Sequence, residues 1–297
     1  MSGSYWEDVH ATGLAVPSDR PLDELTAELT RMLGDPDPQI REAIAYAALA
    51  TWIQRGVYDD LLTGLGDGMA AGLTVGLGET DTDSVFRRSI SALVLGECIA
   101  RDNGRPLVPG GKVLEWGDRV ATWLLRERDL RGYVPGKGWA HAIARGADAL
   151  GTLAGSPHLA APELTVLLDV IADRVLARSD TLHTHGEGDR LAVATLAVLQ
   201  RNLVPLSVME PWINRICAVA ATADVPAGRD PYLVTGNAEG FLRALYLQLA
   251  LGARQPDIRH DLLLVVVDAL KRSNVDHLGH GGPGRRTESS PPPDQRS

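Results

Sequence analysis

The feature that most limits what this chain can fold into is its punctuation. Alanine- and leucine-rich stretches of helical length follow one another, separated by short runs of glycine, proline and aspartate. None of them alternates apolar and polar residues as a half-buried strand would. Residues 40–55, IREAIAYAALATWIQR, put Ile40, Ile44, Ala47, Ala48 and Ile53 on one face. Residues 84–100 bury Phe86, Ile90, Leu93, Val94 and Ile99, and residues 112–128 turn Trp116, Val120, Trp123 and Leu124 inward. Further helices are expected over 21–33, 58–75, 162–178, up to Gln200, and over 206–222, 231–251 and 257–271. The Asp-Pro turn at 35–38, an alanine-rich helix, a short link and a second helix look like one unit of a repeat array. The expected fold is all-α: an array of antiparallel helix pairs curved like a HEAT or armadillo superhelix, with a compact α/α bundle or toroid as the alternative. Residues 1–20 read as a flexible lead, 21–273 as a single helical-repeat-like domain, and the Gly-, Pro-, Ser- and Arg-rich 274–297 as a disordered tail.

Chemistry concentrates in residues 129–153, DLRGYVPGKGWAHAIARGADALGTL. Three glycines and a proline between Arg131 and Gly138 favour turns, and a helix is expected from Trp139 to Leu153. On that helix His141, Arg145 and Asp148 fall at i, i+4 and i+7 and form one polar stripe beside Trp139, Ile143, Ala147 and Leu150. The free amides of the first turn, with Lys137 next to them, suit an anion. The stripe reads either as a site, with His141 and Asp148 as candidate catalytic groups and Arg145 holding a ligand, or as a buried polar network that fixes helix packing. Arg87 and Arg88 lie near a helix start, against the dipole preference, and are expected to pair across helices or to face an anion.

The run RGYVPGKGWAHAIARGADAL resembles the signature of a bacterial family of unknown function, domain of unknown function 2785. In that family the helix reads close to KGWAHAxAHGADxL. Arg145 stands where a second histidine is expected, which weakens any two-histidine metal or acid/base pair. VFRRSISALVLGECIARDN (85–103), GEGDRLAVAT (186–195) and NAEGFLRALYLQL (237–249) resemble the same family, so the likeness runs over about residues 41–270. It implies an all-helical fold and no particular activity.

Candidate ligand contacts outside the central stretch are Asp189 and Arg190 at the start of one helix and Asn237, Arg243 and Tyr246 on another; Lys137 and Trp139 complete the set. His183, His185, Glu187 and Asp189 crowd one loop, but the i, i+4 histidine pair of a metalloprotease and any nearby cysteine are absent, so no metal or other cofactor is expected. No nucleophile elbow, phosphate loop or dinucleotide fingerprint occurs. A net charge of −9 argues against nucleic acid as a partner. No apolar run is long enough for a membrane helix, and Cys98 and Cys217, far apart in apolar helices, suit a reducing cytoplasm. Together these features point to a binding or scaffold protein that takes a protein, a peptide or a small anionic ligand in a concave groove. The alternative is a hydrolase or group transferase that uses His141 and Asp148 on an anionic small molecule. Oligomeric state is left open.

Overall fold

A computed structural model describes residues 2–222 and 227–278. The chain runs through helices α1 (Ser2–Ala11), α2 (Leu22–Met32), a π-helical segment (Gln39–Tyr46) continuous with α3 (Ala47–Gln54), α4 (Leu62–Gly72), α5 (Ser84–Gly104) and α6 (Gly110–Arg126). A two-stranded hairpin follows, β1 (Tyr133–Val134) and β2 (Gly138–Trp139), and then α7 (Ala142–Ala154), α8 (Ala161–Leu176), α9 (Glu187–Leu199), α10 (Leu206–Ala220), α11 (Tyr232–Leu251), α12 (Arg259–Ser273) and the short α13 (Val275–Leu278). The fold is all-α apart from that hairpin.

Packing is ordered by alternation. Helix α7 packs most extensively on α5 and α9, its neighbours but one, and α9 in turn on α11. The even-numbered helices α4, α6, α8, α10 and α12 follow one another in a second row. Small residues bring the first row close together. A side-chain carbon on Gly151 would lie 3.5 Å from the Ala194 Cα, and one on Gly188 would lie 3.7 Å from the Gly240 carbonyl carbon. Alanine and glycine thus set short helix–helix distances here. Most of the apolar positions read from the sequence are core: Ala48, Ile53, Phe86, Ile90, Val94, Ile99, Trp116, Val120, Trp123, Leu124, Ile143, Ala147 and Leu150 are buried, whereas Ile40, Ile44, Ala47 and Leu93 are only half-buried.

Three segments depart from expectation. Residues 2–11, read as part of a loose lead, form α1; Trp6 is buried and its indole N–H donates to Glu28 Oε1 at 3.0 Å. An aromatic residue with an apolar face and a paired N–H gives this helix a reason to dock. Of the expected tail, 275–278 form α13, and 279–297 lie outside the described residues. The helix expected from Trp139 starts three residues later, because the chain first closes the hairpin.

A buried ion pair ties the family-like stretch 85–103 to the chain entering that hairpin. Arg88 and Glu127 are fully buried side chains, joined by Nε to Oε2 at 2.6 Å and by Nη2 to Oε1 at 2.9 Å. Arg88 Nη1 also donates to the carbonyls of Val75 and Gly76 and to the Ser84 hydroxyl. Of the two arginines at this helix start, Arg88 therefore pairs across helices.

Candidate functional site

The local geometry begins with Pro135 and Gly136. The Lys137 N–H donates to the Val134 carbonyl at 3.0 Å, and Gly136 has φ +75°, which is the arrangement of a type II turn with proline at its second position and glycine at its third. Tyr133 then pairs with Trp139 and Val134 with Gly138. The pairing continues as Ala140 donates to Gly132 O and His141 to Arg131 O. Only after His141 can the chain turn helical. His141 itself is left-handed, with φ 51° and ψ 36°, at the N-cap of α7. Its carbonyl accepts from Arg145 N at 3.0 Å, so it opens the helix without lying inside it.

This corrects the polar stripe. Arg145 and Asp148 do share one face of α7, but His141 stands off it, stacked on the Trp139 ring at 4.5 Å between centroids. Trp139 is 39% exposed rather than on an inward face, and its edge meets Tyr133. The ring of His185 completes the set, edge-on to both Trp139 and His141. Gly132 permits the approach, since a side-chain carbon there would fall 2.5 Å from the His185 ring. Four rings, three of them exposed, thus form one patch where the 129–141 and 179–187 connections meet.

His141 Nε2 lies 2.9 Å from the His185 carbonyl, which only accepts, so Nε2 carries the proton and the neutral ring keeps its lone pair on Nδ1. Burial pushes the His141 pKa below its ordinary value; the His185 carbonyl and the Glu187 carboxylate act against that shift. The carboxylate nearest His141 is Glu187, 3.8 Å from Nε2, and not Asp148. Glu187 is buried at the first position of α9 and accepts from the His185 backbone N–H at 2.8 Å. Asp148 spends its charge elsewhere, on Arg190 Nη1 at 2.9 Å, and burial raises its pKa. Sequence reasoning weighed Glu187 and His185 only as metal ligands. Their role here depends on two distant connections meeting, and no local spacing records it.

Beside the rings lies a ladder of paired charges. The buried Arg145 meets Glu42 Oε1 at 3.3 Å, and the same oxygen accepts from Arg41 at 2.9 Å. One guanidinium nitrogen of Arg145, Nη1, is buried without a partner, and burial lowers its pKa. Tyr46 donates to Glu97 at 2.9 Å; burial and that carboxylate both raise its pKa. The π-helical segment, α5, α7 and α9 therefore each contribute to one polar surface.

Other candidates lie apart from it. Lys137 is not at the helix N-terminus; its ammonium bonds both Asp83 oxygens at 2.7 and 2.8 Å. Asn237 is a loop clamp, accepting from His183 N and donating to Thr181 O. Arg243 is held by Glu239 and Asn274, while Tyr246 is partly exposed one turn along α11. Asp189 is exposed and makes no side-chain hydrogen bond or ion pair among the described residues. Among those residues no group of three or more His, Cys, Asp or Glu is arranged to hold a metal ion.

His183 gives a pH prediction. Both ring nitrogens are buried without a partner, and burial, aided by the Arg174 charge, pushes the pKa from 6.5 down to about 4. The folded protein therefore holds this ring neutral while the unfolded chain takes up a proton near 6.5. Stability from this source is complete above that pH and is lost as pH falls through the folded value. His183→Leu, which has no proton to take up, is expected to flatten the acid limb of stability by roughly 2–3 kcal/mol between pH 7 and pH 4. Urea unfolding of both proteins at a series of pH values checks it, and parallel curves would refute it.

A helical chain carrying a histidine-bearing aromatic patch beside a ladder of ion pairs is the class of protein this geometry defines. Residues 73–247 match the profile of the family described as "Protein of unknown function (DUF2785)", and the chain belongs to that family. The matched region includes the hairpin, α7, Glu187 and the Arg88–Glu127 pair. No curated protein and no solved structure matches the chain.

Proposed function

We propose that this protein is a binding or scaffold module that docks a protein or peptide segment, or a small anionic ligand, in a groove centred on α7. The observation that carries the reading is the exposed aromatic patch of Tyr133, Trp139, His141 and His185, held rigid by a hairpin and bordered by ion pairs. Exposed tryptophan and tyrosine on a fixed backbone are the residues from which binding anchors are usually built. The charges beside the patch are paired within the fold, Glu42 with both Arg41 and Arg145 and Asp148 with Arg190, which suits a recognition surface better than a reacting centre. Two rows of helices, each stacking on its neighbour but one, are common to a HEAT- or armadillo-like superhelix and a toroid; the lack of extensive contact between α11 or α12 and α1–α3 among the described residues favours the open superhelix. Its first row would then supply the concave face. A single domain that takes in α1 as well as residues 21–273, in a bacterial cytoplasm, fits this reading. The described helices include none long and apolar enough to cross a membrane.

One observation favours a second reading. With Nε2 anchored on a carbonyl, the Nδ1 lone pair of His141 is a base, so an enzyme of this design would pair His141 with Glu187 rather than Asp148. A displayed peptide library selected on wild type, together with a thermal-shift panel of metabolites and metal ions, separates the two. Trp139→Ala is expected to cost about 1–3 kcal/mol, because the side chain gives up three ring contacts, to leave the protein folded, and to abolish the binding of every selected peptide. Selected peptides that bind Trp139→Ala as tightly as wild type would remove the patch from the proposal. Metabolite turnover lost in His141→Ala would favour the enzyme.

A further inference from the structure

A second cleft, of about 680 Å³, opens where α6 and α8 end. Five arginines line it: Arg126 and Arg128 on either side of Glu127, Arg174 and Arg178 at the end of α8, and Arg229 from beyond α10. That concentration is out of keeping with a chain of net charge −9, which carries 38 acidic residues against 29 basic ones. Basic groups at helix C-termini have an ordinary explanation, because they offset the dipole and cap the last carbonyls. Arg174 does part of this, with Nη1 near the carbonyls of Leu124 and Glu127 at 3.3 and 3.2 Å. Yet the Arg174 side chain is buried, its Nε has no partner, and it forms no ion pair among the described residues. Arg126, Arg128 and Arg178 are exposed and likewise form no ion pair among the described residues. Arg229 donates to the Ser179 carbonyl and leaves its own Nε buried and unpartnered.

The acids in the lining do not cancel this charge. The Glu127 carboxylate is committed to Arg88 and to the indole N–H of Trp123, away from solvent. Asp180 sits 3.4 Å from Arg229 and offsets that one guanidinium. Guanidinium forks match phosphate oxygens two at a time, and five of them around one cleft exceed what a single phosphate can engage. The remaining lining is aliphatic or small and polar, with no aromatic ring to stack on a base.

We propose that this cleft binds a small molecule bearing two or more phosphate groups. The site is separate from the aromatic patch, and the proposal does not rest on the function given above. The probes are inorganic pyrophosphate and tripolyphosphate, titrated calorimetrically into the full chain at low and moderate salt. Wild type is expected to bind both, more weakly as salt rises. Arg128→Gln/Arg178→Gln changes two exposed side chains, so it should fold as wild type by circular dichroism and bind at least about tenfold more weakly. Trp139→Ala should bind as wild type does. Absence of binding to either probe, equal affinity in the double variant, or loss of affinity in Trp139→Ala would each overturn the assignment.

Discussion

Glu127→Ala is expected to destabilise the protein by about 3–5 kcal/mol, because it leaves the Arg88 guanidinium charged and buried with no counter-ion. Glu127 accepts two hydrogen bonds from Arg88, one from the Trp123 indole at 2.8 Å, and the backbone N–H groups of Arg128 and Asp129 at 3.0 Å. Few carboxylates are this fully satisfied, and the pair holds three pieces of chain together: the end of α4, the start of α5 and the exit from α6. The two charges gain their stability from each other, so the loss should depend strongly on which of them remains. Arg88→Met alone should be comparably costly, since it strands the carboxylate. Arg88→Met combined with Glu127→Leu should cost less than the sum of the two single changes by about 1–3 kcal/mol, the coupling expected of groups in direct contact. Equilibrium urea unfolding of the four proteins measures this directly. A Glu127→Ala loss under about 1 kcal/mol would mean that water reaches the pair and the guanidinium is not stranded.

How much of this could be read from the sequence depended on the distance over which each contact acts. Helices came through because their signal is local: Trp116, Val120, Trp123 and Leu124 repeat at helical spacing and all four are core. The hairpin did not. Two-residue strands are too short to show a period of two, and Pro135-Gly136 announces a turn without saying what it joins. Missing the hairpin displaced His141, since a helical wheel assumes that the helix has already begun. Histidine is among the residues that tolerate a left-handed backbone, so nothing in its identity warned of the change. Arg145 and Asp148 were placed on the right face because both lie within α7. Their partners, Glu42 and Arg190, come from other elements, as does Glu127 for Arg88, and one sequence carries no record of such pairings. The exposed aromatic patch is another case: Tyr133 and Trp139 meet through strand pairing, and His185 arrives from a connection more than forty residues on.

Arg41→Ala is expected to cost about 3–5 kcal/mol and, unlike Glu127→Ala, to loosen the candidate site as well. Arg41 has no exposed surface, although it reads in the sequence as an ordinary charged residue at a helix start. Its Nη1 donates to the carbonyls of Asp35 and Pro36 at 2.8 and 3.1 Å, Nη2 donates to Glu42 and to the Lys137 carbonyl at 2.9 and 2.8 Å, and the guanidinium lies over the Phe86 ring at 4.1 Å. The Lys137 bond is the functional one, because it fastens the tip of the hairpin to the π-helical segment. Gly138 lies against the same group; a side-chain carbon there would come within 3.3 Å of Arg41 Nη2, and its φ of +79° suits glycine alone. Removing Arg41 also leaves Glu42 to Arg145 only, so the ladder beside the rings changes along with the hairpin. Lysine should not rescue the loss, since one ammonium cannot replace a planar fork that reaches carbonyls on two segments. Two readouts are needed. Urea unfolding gives the stability loss. Amide hydrogen exchange of residues 133–141 in the folded protein should show faster exchange at the Lys137, Ala140 and His141 amides, which are protected by the hairpin in wild type. If stability falls but those amides stay protected, Arg41 is a core fastener only, and the rigidity of the aromatic patch must come from the Gly132–His185 contact on its other side.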